Sequence, residues 1–125
     1  MEQNITKEWL RQHPNCIFVF GDNTQRFGQG GAAKLRYEPN VYGFITKKYP
    51  NHTNEAYYKP MEYMSVFESE LEKLISEIES NPGKTYLISR LGGGLANKFG
   101  IFEKVILPNI KVLNVYENVR FLFCW

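Results

Sequence analysis

Apolar residues fall along this chain in blocks of two kinds. Some are continuous. Cys16-Ile17-Phe18-Val19-Phe20 has no polar interruption, the pattern of a strand covered on both faces. Val41 to Thr46 and Thr85 to Ser89 predict a second and a third strand, and Val119 to Cys124 a last one. Other apolar residues recur at helical spacing. Met64, Phe67, Leu71, Leu74, Ile75 and Ile78 form one stripe, with Pro60 near its start and Asn81-Pro82-Gly83 at its end. Ile5, Trp9, Leu10 and His13 predict a first helix, capped by Asn4 or Thr6 and stopped by Pro14-Asn15. Ala32 to Tyr37 and Phe99 to Ile106 are shorter helical stretches. Residues 47–60 read as a long polar loop, and residues 107–118 carry no clear period.

The resulting order is (α)βαβαβαβ. Strands alternating with helices predict an α/β fold of three layers, α/β/α, around a mostly parallel central sheet. The 125 residues make one domain, 1–125, able to bury roughly 65% of its unfolded surface. In sheets of this kind ligands bind beyond the carboxyl ends of the strands. Two glycine-rich segments start at predicted strand ends, Gly28-Gln29-Gly30-Gly31-Ala32-Ala33 and Gly92-Gly93-Gly94-Leu95-Ala96-Asn97.

Composition narrows the class. Apolar residues are 43% and charged residues 22% of the chain, the balance of a packed domain. Apolar runs reach only about five residues, such as Phe121 to Trp125, against roughly 18 for a membrane span. The start, Met1-Glu2-Gln3-Asn4, lacks the basic and apolar regions of a secretory signal. Cys16 and Cys124 each sit in an apolar run and read as reduced core thiols, which predicts a cytoplasmic protein. Two histidines and two cysteines without close spacing predict no metal site, and nothing calls for a cofactor. The net charge of +2 is uneven: residues 60–82 hold six Glu and one Lys, so the basic surplus lies with the glycines. That surplus suits a small anion better than a nucleic-acid backbone.

A strand running into glycines and a helix start offers unpaired backbone N–H groups to an anion, with the helix dipole behind them. Two such loops side by side can grip a diphosphate. The alternative is architectural: the glycines make tight turns and let helices pack. The first loop matches G-x-G-x-x-A, but Gly28 follows Phe20 by eight residues, and Thr46-Lys47-Lys48 stands where a ribose-binding acid belongs. This excludes a conventional dinucleotide dehydrogenase, and no Gly-Lys-Ser or Gly-Lys-Thr marks a P-loop. Asp22, the sole aspartate, is the acid–base candidate that would orient a water, with Asn23 beside it at a ribose hydroxyl. Both residues also suit a turn. Arg90 fits a two-pronged phosphate contact, and Thr46 and Lys47 close the second strand. Gly21, Gly28, Gln29, Gly30, Gly31, Ala32, Gly92, Gly93, Gly94, Leu95 and Ala96 complete the candidate ligand-binding set. Tyr49, Tyr57 and Tyr58 either stack on a base or form their loop's own core.

Phe18-Val19-Phe20-Gly21-Asp22-Asn23, Gly28 to Ala33, and a late strand ending in Arg90-Leu91-Gly92-Gly93-Gly94-Leu95-Ala96 together resemble the macro domain, the ADP-ribose-binding module. The layout is also similar to short macro-like proteins of bacteria and their phages. The resemblance rests on residues 16–36 and 85–100. It implies that Asn23 lies near the distal ribose, that Gly30, Gly31 and Ala32 run along that ribose and the diphosphate, and that Gly92 to Ala96 supply N–H groups to the phosphates. The implied function is binding of an ADP-ribose-type nucleotide, with or without hydrolysis of a group at the distal ribose. A second reading is a protein-interaction or inhibitor module, such as a phage anti-defence protein, that keeps the fold without the ligand. Its surface would be the aromatics of residues 49–63 and the acidic helix. A third, nucleic-acid binding, would use Lys47, Lys48 and the nearby tyrosines.

Overall fold

A computed structural model of the chain describes residues 4–124. The N-terminal reading at Met1 to Gln3 and the Trp125 end of the last apolar run lie outside them. Four strands form one sheet in the order β2-β1-β3-β4, with β1 at Cys16–Asn23, β2 at Val41–Lys47, β3 at Thr85–Ile88 and β4 at Val119–Phe121. All three pairings are parallel. The expected α/β architecture is therefore present, with an all-parallel sheet.

Strand alternation sorts the core into two layers. Phe18, Phe20 and Leu87 point to one face, where they meet Leu10 of α1 (Lys7–Gln12) and Ala33 and Leu35 of a 3₁₀ segment, Gly31–Leu35. Val19, Tyr86 and Ile88 point to the other, against Phe67, Leu74 and Ile78 of α2 (Pro60–Ser80) and Ile110 of α3 (Leu107–Ile110). The Thr6 hydroxyl caps α1 by accepting the Trp9 N–H at 3.1 Å, one of the two caps expected. The buried stripe of α2 also includes Tyr63 and Glu70, whereas Met64 is 38% exposed. That shift follows from edge protection. The outward-facing N–H and C=O of Ile45 on β2, an outer strand of the sheet, are both taken up by α2: Glu70 accepts the N–H at 2.7 Å and the Tyr63 hydroxyl donates to the carbonyl. The Gly43 carbonyl on the same edge accepts from Arg26 at 2.7 Å. An exposed row of strand groups is thus closed by side chains.

Other elements depart from the expectations. Ala32 to Tyr37 forms no α-helix; the chain makes the short 3₁₀ segment instead. The stretch after β3 turns helical only at Ile101 and is π-helical over Phe102–Ile106, where Pro108 cannot donate to the carbonyl four residues back. The unreadable residues 107–118 are ordered as α3, a 3₁₀ segment at Lys111–Val115 and a turn. The last strand stops at Phe121, short of Cys124. The two cysteines are not core residues: Cys16 is half-buried and Cys124 exposed. Among the described residues no helix is long and apolar enough to cross a membrane.

Two predictions follow from this packing. Glu70→Ala leaves the Ile45 N–H without its acceptor and should cost about 2 kcal/mol, and Tyr63→Phe about 1 kcal/mol, each read as a lowered urea midpoint at unchanged slope. The second concerns Tyr86, only 1% exposed, whose hydroxyl donates to Glu77. Burial and then the Glu77 charge push it up to about 12, against about 10 for a free tyrosine. The folded state holds this proton more tightly, so the stability involved is complete below about pH 10 and is lost as pH rises toward 12. Unfolding free energies across that range should fall more steeply for the wild type than for Tyr86→Phe.

Candidate functional site

The chain runs from β1 to β2 on one side of β1 and then crosses to β3 on the other. The strand order reverses between β1 and β3, and loops leaving the carboxyl ends of those two strands must part there. A cleft of about 640 Å³ opens at this point, within the usual range for a small-molecule site. The candidate catalytic and ligand-binding set lines it: Gly21, Asp22 and Asn23 at the end of β1, Gly28 to Ala32 in the first loop, Thr46 and Lys47 at the end of β2, and Arg90 and Gly92 to Ala96 in the second loop; Lys48, Tyr49, Tyr57 and Tyr58 do not. The Leu95 side chain bridges the loops, its tip lying over Gly30 and Gly31.

Asp22 follows Phe18 and Phe20 on the same face of β1, so its carboxylate stands above Phe20. The guanidinium of Arg36, just past the 3₁₀ segment, lies over the Phe20 ring and grips the carboxylate with two prongs, at 2.8 and 3.2 Å. The same Arg36 donates from Nε to the Gly28 carbonyl at 2.7 Å. Arg26 adds a 3.3 Å contact and the Asn23 N–H another at 2.8 Å. The Asp22 side chain is 2% exposed and that of Arg36 6%. Both carboxylate oxygens are engaged, so the arrangement uses Asp22 to fix the loop, and no oxygen is held ready to orient water. Asn23 organises the turn: its Oδ1 accepts the Gln25 N–H and its Nδ2 donates to the Phe27 carbonyl.

The expected helix starts are absent at both loops. The first opens a five-residue 3₁₀ segment, and the second reaches its helix only after Gly100. What the loops do offer is backbone N–H groups. Among the described residues, the N–H groups of Gly30, Gly31, Ala32, Gly92, Gly94, Leu95 and Ala96 donate to no protein group. Gly92 is required by the fold: its φ is +72° and a Cβ there would lie 2.6 Å from Ile106. Gly94 is different. Its φ is not in the left-handed region and a Cβ would meet nothing within 4 Å.

The electrostatics favour an anion. Among the described residues Asp22 is the only carboxylate on the cleft wall, and it is already matched by Arg36. Lys47 and Arg90 have no carboxylate within ion-pairing distance among the described residues. Lys47 lies over the Tyr57 ring, and burial holds its ammonium below the usual lysine range. Arg90 stacks on Phe102 and donates to the Gly93 carbonyl at 3.2 Å. Tyr57 is buried and Tyr58 packs into the main core against Tyr63, while Tyr49 is 40% exposed. Of the lysines considered for nucleic acid, Lys48 is paired with Glu62. No group of three His, Cys, Asp or Glu side chains gathers as a metal site among the described residues.

Sequence reasoning passed over Arg36, Phe27, Pro50, His52 and Ser89, which also line the cleft. Arg36 was findable in principle: one aspartate at a strand end calls for a cation, and the segment after the first loop is the nearest place to supply it. His52 hangs on the rim by a 3.1 Å contact to the Tyr57 hydroxyl, and nothing local marks it.

Residues 1–97 match the model of a family of unknown function, DUF7831, and the chain belongs to that family. The matched range holds β1 to β3 and every residue of the cleft wall; the π-helical segment, α3 and β4 follow it. No curated protein and no solved structure matches the chain.

The Asp22–Arg36 pair makes a stability prediction. Asp22→Ala leaves a buried guanidinium unmatched and should cost about 3–5 kcal/mol. Adding Arg36→Met should cost less than the two single changes together, a coupling readable in a denaturant double-mutant cycle.

Proposed function

We propose that this DUF7831 member binds an ADP-ribose-type nucleotide, its diphosphate held between the two glycine loops. The observation that carries this reading is that both loops lining the cleft hold N–H groups with no acceptor among the described residues, while the cleft's cations without an ion pair there, Lys47 and Arg90, are both at its wall. Backbone donors and unmatched cations are what a diphosphate needs, and a neutral ligand would leave the charges unanswered. The exposed Phe27 ring and the Leu95 side chain at the mouth give apolar surface for a sugar or base. The loop pattern shared with the macro domain supports the same ligand class.

The reading is of binding without turnover. Hydrolysis at the distal ribose would need a group to activate water, and the only carboxylate on the wall among the described residues is taken up by Arg36 and Arg26. The protein-interaction alternative draws less from the geometry, because Tyr57, Tyr58 and Tyr63 are all core residues and no longer available as its aromatic surface.

Thermal unfolding with ADP-ribose, NAD, ATP and short oligonucleotides tests the proposal. At about 100 times its dissociation constant a ligand adds roughly 2.7 kcal/mol, several degrees for a domain of this size. A shift confined to ADP-ribose-type compounds is expected. Gly94→Val is the discriminating variant, because the fold leaves room for its side chain. It should unfold at the wild-type temperature without ligand and lose most of the ligand-induced shift. Retention of the full shift would count against the second loop as a phosphate cradle. Gly31→Val is a poorer probe, since φ there is +58° and strain alone would lower stability.

A further inference from the structure

Arg90 stands at the cleft wall without an ion pair, and two contacts hold it there. Its guanidinium carbon lies 4.4 Å from the centre of the Phe102 ring, the shortest cation-to-ring distance among the described residues. Its Nη1 donates to the Gly93 carbonyl at 3.2 Å. The stem runs so close over Gly93 that a Cβ there would stand 2.7 Å from Arg90 Cγ. The remaining guanidinium N–H groups donate to no protein group among the described residues. Arg90 is thus exposed yet held in place. Phe102 is itself fixed. It is 2% exposed, meets Phe123 edge-on, and its N–H donates to Asn97 Oδ1 at 2.9 Å. Glu103, the carboxylate next to it in the chain, accepts from Asn97 instead of pairing with Arg90. Ile101 and Ile106 of the same stretch close on Gly92. The whole stretch follows residue 97, where the match to the family model ends.

We infer that Phe102 is the positioning residue for Arg90: its ring presets the guanidinium at the cleft wall, so that an anion meets a cation whose side chain is already ordered. This rests on the reading of the cleft as an anion site. An arginine left free in water would have to be ordered by the ligand, at a cost in affinity. The ring face also favours a flat, weakly hydrated guanidinium over the compact ammonium of a lysine.

Calorimetric titration with inorganic pyrophosphate and with ADP-ribose tests it. Phe102→Leu removes the ring face and keeps an apolar side chain. It should weaken both probes about fivefold, the worth of one cation–ring contact. Phe102→Tyr keeps the ring and should stay within about twofold of the wild type. With Arg90→Met in place, Phe102→Leu should change affinity by less than about twofold, because a ring that acts through Arg90 then has nothing to position. Arg90 is exposed, so Arg90→Lys should fold normally, and it should also weaken binding about fivefold. Should Phe102→Leu fail to fold, Arg90→Lys and Phe102→Tyr decide between them. Equal losses from Phe102→Leu with and without Arg90, a loss in Phe102→Tyr as large as in Phe102→Leu, or wild-type affinity in Phe102→Leu or Arg90→Lys would overturn the inference and leave Phe102 a packing residue. If pyrophosphate binds and ADP-ribose does not, the nucleotide reading fails, while the coupling of Arg90 to Phe102 is still decided with pyrophosphate. If neither binds, both fall together.

Discussion

A carboxylate almost out of water at the end of the central strand must be matched, and the rest of this end of the molecule is arranged around that need. Asp22 is matched by Arg36, whose guanidinium lies over the Phe20 ring and reaches on to the Gly28 carbonyl. A single guanidinium thereby ties the strand end, the first glycine loop and the segment after the 3₁₀ turn into one unit. Such a pair adds little net stability over a well-packed apolar substitute, because both ions lose their hydration. Its use here is positional. Both Asp22 oxygens and three Arg36 N–H groups are committed, which ties down the loop whose residues line the cleft.

The same economy governs the outer strand. β2 would present open backbone groups to solvent, a template for pairing with another chain. Arg26, Tyr63 and Glu70 occupy those groups, and Arg26 also touches Asp22. The edge lock and the loop lock therefore share a residue, and the acidic helix α2 supplies the other half. Part of its negative charge is thus structural: Glu70 is buried at the strand edge, while Glu62 pairs with Lys48.

With the acids so placed, Lys47 and Arg90 have no carboxylate within ion-pairing distance among the described residues. Lys47 is desolvated over Tyr57, and Arg90 is folded back along Gly93. An anion entering this region meets donors whose cost of desolvation and ordering was met on folding, which is what preorganised recognition requires. The proposed nucleotide site draws its support from that asymmetry more than from any one residue.

The pattern of residues along the chain determined the layers and the place of the cleft. Cys16 to Phe20, Val41 to Thr46 and Thr85 to Ser89 are strands because continuous β-prone runs have no other way to bury both faces. Glycine clusters at two strand ends located the cleft wall, since an α/β sheet gathers its loops there. Tertiary structure decided the rest. That both Asp22 oxygens are committed depends on Arg36, 14 residues away, and no local signal reports such a pairing. Where a helix was expected over Ala32 to Tyr37, the chain makes the 3₁₀ segment Gly31–Leu35, and Arg36 just past it reaches back to Asp22 and Gly28. Glu70 reads as a solvated residue on an acidic face, yet it is buried because the outer strand needs an acceptor. Periodicity records which residues leave water; it does not record which polar partner meets them when they do.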